Sequence, residues 1–202
     1  MLKLKDLTVK YEDQTVIKSL DFTFENGKFY GITGPSGIGK TTLFAAVAQL
    51  VKPDSGKILT DGEKIGYVFQ DPRLFPWMSA IENVECVCDD KSRAKQYLDT
   101  LLPEGAEKYP HELSGGMKQR VSVARALAYD CDVLLLDEPF KGLDGQTKEI
   151  VIKTVLEFIK GRTAIMISHD VEELELCDEI YKMDTSPVTS LIKVKSGNIK
   201  IE

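Results

Sequence analysis

The sequence predicts an α/β fold with a mainly parallel sheet, and three observations carry that prediction. First, the short runs Lys64–Phe69, Val133–Leu136 and Thr163–Ile167 are near-continuously apolar, as strands covered on both faces must be. Second, each run ends at a polar residue: Gln70, Asp137, and Ser168-His169. Third, the strand-sized run Phe29–Thr33 leads into a glycine-rich loop followed by a helical pattern. Four candidate site segments therefore lie at the carboxyl ends of strands, where open α/β sheets bind ligands.

The chain has 202 residues, which is expected to form one domain spanning 1–202. A hydrophobic share of 43% is enough for a real core. With 26 basic and 32 acidic residues, the net charge is −6. No long basic block is present, which argues against nucleic acid as the main partner, because phosphate backbones demand clustered Lys and Arg. The start Met1-Leu2-Lys3-Leu4-Lys5-Asp6 has no apolar run of signal-peptide length. No stretch reaches the roughly 18–20 apolar residues of a membrane span. The chain is therefore expected to be cytoplasmic, with any membrane role supplied by a spanning partner. Four cysteines, Cys86, Cys88, Cys131 and Cys177, form no C-x-x-C pair and are expected to be reduced thiols.

Taken in order, Leu2–Phe24 predicts antiparallel β structure, with Leu20, Phe22 and Phe24 at period two. Glu25-Asn26-Gly27 predicts a turn. Lys40–Val51 predicts a helix that stops before Pro53. Between Gln70 and Leu113 the pattern changes: Pro72, Pro76, Pro103 and Pro110 punctuate it, and Ser92–Leu102 is helical in pattern. A helical subdomain covering about 71–125 is therefore expected as an insertion into the sheet domain. From Ser114 a helix is expected, its apolar face including Met117, Val121, Ala124, Leu127 and Ala128. Ile180–Ile201 predicts short strands with a turn at Ser196-Gly197-Asn198.

Gly34-Pro35-Ser36-Gly37-Ile38-Gly39-Lys40-Thr41 fits G-x-x-x-x-G-K-[ST]. Glycines are needed there so that backbone N–H groups can close around a phosphate without Cβ interference. Lys40 supplies charge to the β- and γ-phosphates, and Thr41 offers a hydroxyl to Mg²⁺. The helix that Lys40, Thr41 and Thr42 open points its positive N-terminus at the same phosphates. A chance glycine-rich turn is the plainer reading, but the placement between a strand and a helix argues against it.

Further motifs follow in a telling order. Leu113-Ser114-Gly115-Gly116-Met117-Lys118-Gln119-Arg120 is a second glycine-led helix start, with Ser114 placed to cap it. Val133–Leu136 runs into Asp137-Glu138, and Thr163–Ile167 into Ser168-His169-Asp170. With these motifs in this order, the chain resembles the ATP-binding cassette subunits of ABC transporters over nearly its whole length. The chain stops soon after the expected core domain, so the extra regulatory domain of some members is not expected.

The resemblance implies a P-loop ATPase core that binds ATP and Mg²⁺, and it implies roles for particular residues. Asp137 would orient Mg²⁺. Glu138 would polarise the attacking water. Gln70 would reach Mg²⁺ or that water. His169 would contact the γ-phosphate and help hold Glu138. Ser114, Gly115 and Gly116 would grip ATP held by a second cassette, so that two chains face head to tail as a homodimer. Tyr11 matches the aromatic that stacks on adenine, and packing within the sheet is an equal alternative. Leu143-Asp144 match the end of the loop that communicates between cassettes. Lys141 in that loop departs from the small residues of many relatives. Its two readings are a contact with the second subunit and simple solvation.

Gln70-Asp71-Pro72-Arg73-Leu74-Phe75-Pro76-Trp77, with Ile81-Glu82-Asn83-Val84, is similar to importer cassettes of the nitrate, sulfonate, taurine and thiamine-precursor group. In that reading Phe75, Trp77 and Met78 line a groove for a helix of a membrane permease subunit, and a solute-binding protein completes the system. The chain would then work on the inner face of the cell membrane. Ordinary packing is the alternative role for these three side chains. At the level of function, the alternatives are a membrane-associated cassette with a mechanical or regulatory role and a small-molecule P-loop kinase.

Overall fold

Which runs pair with which follows from which are apolar on both sides. The computed structural model describes residues 1–12 and 14–194. From the N-terminus it forms β1 (Leu2–Tyr11), β2 (Gln14–Phe24), β3 (Phe29–Thr33), α1 (Lys40–Val47), β4 (Ser55–Leu59) and β5 (Ile65–Val68). A helical stretch follows: α2 (Ala80–Glu85), α3 (Lys91–Leu101), a 3₁₀ turn at Pro110–Glu112, and α4 (Gly115–Ala128). The chain then alternates through β6 (Val133–Asp137), α5 (Gly145–Phe158), β7 (Thr163–Ile167) and α6 (Val171–Leu174) before β8 (Glu179–Lys182) and β9 (Ile192–Val194). The turn expected at Ser196-Gly197-Asn198 lies outside the described residues.

Six strands form one sheet in the order β5-β6-β7-β3-β8-β9. The pairs from β5 to β8 are parallel, and β9 runs antiparallel to β8. Along β6, Leu134 and Leu136 enter one core with α2–α5, whereas Val133 and Leu135 enter a second core with β1, β2 and α1. Ala164 and Met166 of β7 alternate with Ile165 and Ile167 in the same way. Each of these side chains is essentially fully buried, a gain of about 1.5–3 kcal/mol for each large aliphatic. This two-sided burial is why the runs are continuously apolar rather than alternating.

β1 and β2 pair antiparallel as expected, with Leu2 opposite Phe24. A third strand of that sheet, β4, pairs with β1 and was not expected. It is an edge strand in which only Ile58 is partly buried, so it carries no hydrophobic period to read. Gly56 lets it come close, since a Cβ there would lie 2.1 Å from the Asp6 carbonyl oxygen.

One expectation is corrected and one extended. The helix expected over Lys40–Val51 ends at Val47. Gln49 adopts φ +59°, its N–H bonds to the Ala46 carbonyl, and the Leu50 N–H bonds back to Ala45. That is a Schellman stop built without glycine, so composition does not reveal it. In α4 the expected apolar face packs into the core, and burial extends beyond it. Gln119, Val121, Ser122, Val123, Ala124, Ala126, Leu127 and Ala128 are all buried, while Met117 is only half-buried. The helix packs against α2, α3, α5 and β5, so it has several covered faces.

Between β5 and α2, Asn83 organises the loop that holds Trp77. Its side chain is fully buried. Its Oδ1 accepts from the Phe75 N–H at 2.8 Å. Its Nδ2 donates to the carbonyls of Phe75, Met78 and Ser79 at 3.2, 3.0 and 3.0 Å. Ser79 and Glu82 complete a reciprocal cap on α2. Asn83→Ala is expected to cost about 1–3 kcal/mol, because several backbone groups lose their partner at once. Urea unfolding should show a lower midpoint, and limited proteolysis should cut first within 75–79; an unchanged midpoint would refute the assignment.

Candidate functional site

Parallel register brings the polar ends of four strands to one edge. Val68 lies opposite Leu136, and Asp137 opposite Ile167, which also pairs with Ile32. One or two residues further along stand Gln70, Glu138, Ser168-His169 and Gly34, the first residue of the glycine loop.

The loop needs its glycines for space and for backbone conformation. Gly34 and Gly39 have φ +145° and +117°. A Cβ on Gly34 would sit 2.2 Å from the Met183 carbonyl oxygen, and one on Gly39 would sit 2.6 Å from Val16. Pro35, Ser36 and Gly37 are exposed at the crown of the loop, with Ile38 and Thr42 half-buried. Lys40 reaches into the loop and donates to the carbonyls of Gly34 and Pro35 at 2.7 and 2.8 Å. Burial lowers its pKa, while the charges of Glu138 and Asp137 act the other way.

Thr41 Oγ donates to Asp137 Oδ2 at 3.0 Å. The Tyr67 hydroxyl donates to the same oxygen at 3.3 Å. Asp137 is buried, and burial raises its pKa against the lowering effect of those two hydrogen bonds. A hydroxyl and a single carboxylate converging beside a phosphate loop suit Mg²⁺, which favours few protein oxygens and fills its octahedron with phosphate and water. Among the described residues no cluster of three or more His, Cys, Asp or Glu could hold a metal ion by itself.

Glu138 turns sharply out of β6 with φ +47°, a region costly for a non-glycine residue. Its N–H is held by the Ile167 carbonyl at 3.0 Å. The turn presents its carboxylate to His169 and Lys141. His169 Nε2 lies 3.6 Å from Oε1, and Lys141 Nζ lies 3.4 Å from Oε2. Solvation was one reading of Lys141 and contact with a second subunit the other. In the structure it remains exposed but turns back on its own chain.

The residues on either side of His169 are held by a polar network. Ser168 Oγ donates to Glu173 Oε2 at 2.5 Å and accepts from the Asp170 N–H at 3.0 Å. Lys148 on α5 binds both Asp170 and Glu173, at 2.9 and 2.7 Å. Sequence reasoning missed Tyr67, Lys148 and Glu173. Lys148 and Glu173 are 25 residues apart in sequence and carry no motif; Tyr67 is indistinguishable from a core aromatic.

Among the described residues, no hydrogen bond or ion pair joins Tyr11, Gln70 or Ser114 to this group. Tyr11 is 47% exposed at the end of β1. Gln70 is exposed beyond β5. Ser114 Oγ accepts from the Met117 N–H at 3.2 Å and so caps α4. Gly115 is open to solvent, and a Cβ on Gly116 would lie 3.0 Å from the Gly142 carbonyl oxygen. Gln119, buried on the same helix, donates to the Pro139 carbonyl at 3.1 Å. The start of α4 is thus tied to the loop that carries Glu138 and Lys141.

Comparison with known proteins fits this geometry. The family model described as ABC transporter matches residues 17–141. The aliphatic sulfonates import ATP-binding protein SsuB 1 of Rhodococcus jostii is 38% identical, over 96% of this chain and 83% of its own. The nitrate import ATP-binding protein NrtD of a Synechocystis species is 42% identical, over 86% of this chain and 72% of its own. Among solved structures, the ATP-binding cassette MJ0796, in a dimeric post-hydrolysis state bound to ADP and phosphate, superposes with a TM-score of 0.87 at 28% identity, covering 97% of this chain and 99% of that one.

Lys148→Met would leave the Glu173 carboxylate, itself only 8% exposed, without its cation. A loss of about 1–3 kcal/mol in chemical unfolding is expected, below the range for a fully buried pair because Lys148 is partly solvated. Adding Glu173→Gln should recover part of the loss. Additive losses in the double variant would contradict the pairing.

Proposed function

The chain belongs to the ABC transporter family of ATP-binding proteins, and on that premise we propose how its residues divide the work of ATP hydrolysis. It is an ATPase subunit of an import system, working as a dimer with membrane permease subunits. ATP is its substrate, with Mg²⁺. When bound, Mg²⁺ neutralises charge developing on the phosphates.

The observation that carries the division of roles is the convergence of Lys40, the Thr41–Asp137 pair and the Glu138–His169 pair at one sheet edge. The glycine loop wraps the phosphates with backbone N–H groups, and Lys40 turns its ammonium to the β- and γ-oxygens. Thr41 and Asp137 would hold the metal, and Gln70, just beyond β5, would reach it or the attacking water. Glu138 takes a proton from water as the water oxygen bonds to the γ-phosphorus. The bond from that phosphorus to the β–γ bridging oxygen breaks, and ADP leaves with the electron pair. His169 holds Glu138 and contacts the γ-phosphate. Tyr11 stacks on the adenine. Ser114, Gly115 and Gly116 act on ATP held by a second copy of the chain.

No described helix is long and apolar enough to cross a membrane, so contact with the bilayer goes through the permeases. We place the chain on the inner face of the cell membrane. Trp77, 69% exposed on the loop built by Asn83, supports a docking role for that segment. Beside the loop a groove is lined by Phe69, Arg73, Phe75, Arg125 and Tyr129. The relatives named for sulfonate and nitrate import favour transport over a mechanical or regulatory role.

Glu138→Gln keeps shape and removes the base. Turnover is expected to fall ~10²–10⁴-fold with Mg-ATP binding retained, and ATP should then hold the chain as a dimer in sedimentation. Turnover near the wild-type rate would overturn the role of Glu138.

The division between chains is tested by mixing. Ser114→Arg puts a bulky cation where a second copy's γ-phosphate approaches, and Lys40→Ala disables the chain's own loop. Each protein alone should be inactive. In the mixed dimer one composite site carries both defects and the other carries neither, so ATPase activity should partly return. No recovery in a demonstrated mixed dimer would argue against the signature acting in trans.

A further inference from the structure

Glu138 and His169 face each other across the site, and the fold joins them a second time from behind. Beyond Glu138 the loop 139–144 runs into α5, which Asp144 caps. Lys148 stands in the first turn of α5, with its N–H on the Asp144 carbonyl at 2.7 Å. Its ammonium lies 2.9 Å from Asp170 Oδ2 and 2.7 Å from Glu173 Oε1. Asp170 follows His169 in the chain, and Glu173 accepts from Ser168, which precedes it. One cation therefore binds both sides of the histidine. Among the described residues no hydrogen bond fixes His169 itself, and its Nε2 stands 3.6 Å from Glu138. The place of the ring is thus set by its two neighbours. Lys148 is 25% exposed and Glu173 8%, so this is not a solvated surface pair of negligible worth.

We propose that Lys148 is a positioning residue for hydrolysis: by binding Asp170 and Glu173 together it clamps the turn of His169 to α5 and so sets where the imidazole stands against Glu138. Tracing the contacts gives a closed ring, from Glu138 through the loop 139–144 to Lys148, across to Asp170, and through His169 back to Glu138. Removing the cation opens the ring at the one point where α5 meets the turn, and leaves Ser168 and Asp170 to their local hydrogen bonds. The inference rests on His169 acting on Glu138 and the γ-phosphate.

The clamp is tested without turnover. The chain has two histidines, so imidazole NMR signals report the turn directly, with His111 as an internal control. At a pH where both rings are neutral, Lys148→Met should shift or broaden the His169 signal and leave that of His111 in place. Lys148→Arg, which keeps a cation between the same carboxylates, should restore the His169 signal. An unmoved His169 signal, or equal movement of both rings, overturns the proposal. Kinetics, run well below the unfolding transition, test the consequence. Lys148→Met should lower kcat about three- to tenfold, the order expected for a misplaced group that stays in the site. KM for ATP should stay within about twofold, because the Lys148 ammonium binds none of the groups placed on the nucleotide. Lys148→Arg should recover kcat. Asp170→Asn keeps a capping side chain for α6 but removes one ion pair, and should lower kcat as well. Combined with Lys148→Met, it should add little to the loss. An unchanged kcat in Lys148→Met, no recovery in Lys148→Arg, or losses that multiply in the double variant would each overturn the clamp. If His169→Ala kept wild-type turnover, the role of His169 would fail instead, while the ring signals would still decide whether Lys148 holds the turn.

Discussion

Everything at the site depends on parallel pairing between strands buried on both faces. β6 and β7 have no solvent face on which to carry a polar side chain. Function can enter only where these strands end. Because β5, β6, β7 and β3 pair in register, their ends coincide, and residues more than a hundred positions apart in sequence meet at one edge. A one-residue slip would move each Leu and Ile to the opposite core. Each aliphatic would stay buried but in a core packed for other shapes, and misfit of that kind costs about 1–3 kcal/mol at each poorly fitted position. The packing of the two cores, not the site chemistry, therefore sets the geometry of the site.

At the edge, the chain accepts local strain and buried charge. Glu138 sits at positive φ, and Asp137 is buried with its pKa raised. Both are tolerated because neighbours over-determine them: the Ile167 carbonyl holds the Glu138 N–H, and Thr41 and Tyr67 hold Asp137. The turn bearing His169 is fixed the same way, by Ser168, Glu173 and Lys148. Such support shells contribute rigidity to groups that must act within a few tenths of an ångström.

The contact between α4 and the loop after Glu138 links two functions proposed for different nucleotides. Gln119 and Gly116 touch Pro139 and Gly142, so the start of α4, proposed to act on a second copy's ATP, is in direct contact with the loop that follows Glu138.

The sequence by itself determined the strands of the parallel sheet, the glycine loop, the capped start of α4 and the order of polar residues behind each strand. These are local features: an apolar run, a glycine count and a spacing are all visible within a few residues. It did not determine β4, an edge strand with almost no buried face, or the end of α1, where Gln49 takes a conformation usually left to glycine. Nor did it disclose Tyr67 on Asp137, Lys148 on Glu173, Asn83 under the Trp77 loop, or Lys141 on Glu138. Tyr67–Asp137 and Lys148–Glu173 join residues from different elements. Asn83 and Lys141 act through turns whose direction depends on what packs behind them. Only the tertiary structure decided those contacts, because the partner of a long polar side chain is chosen by the packing around it and not by its neighbours in the chain.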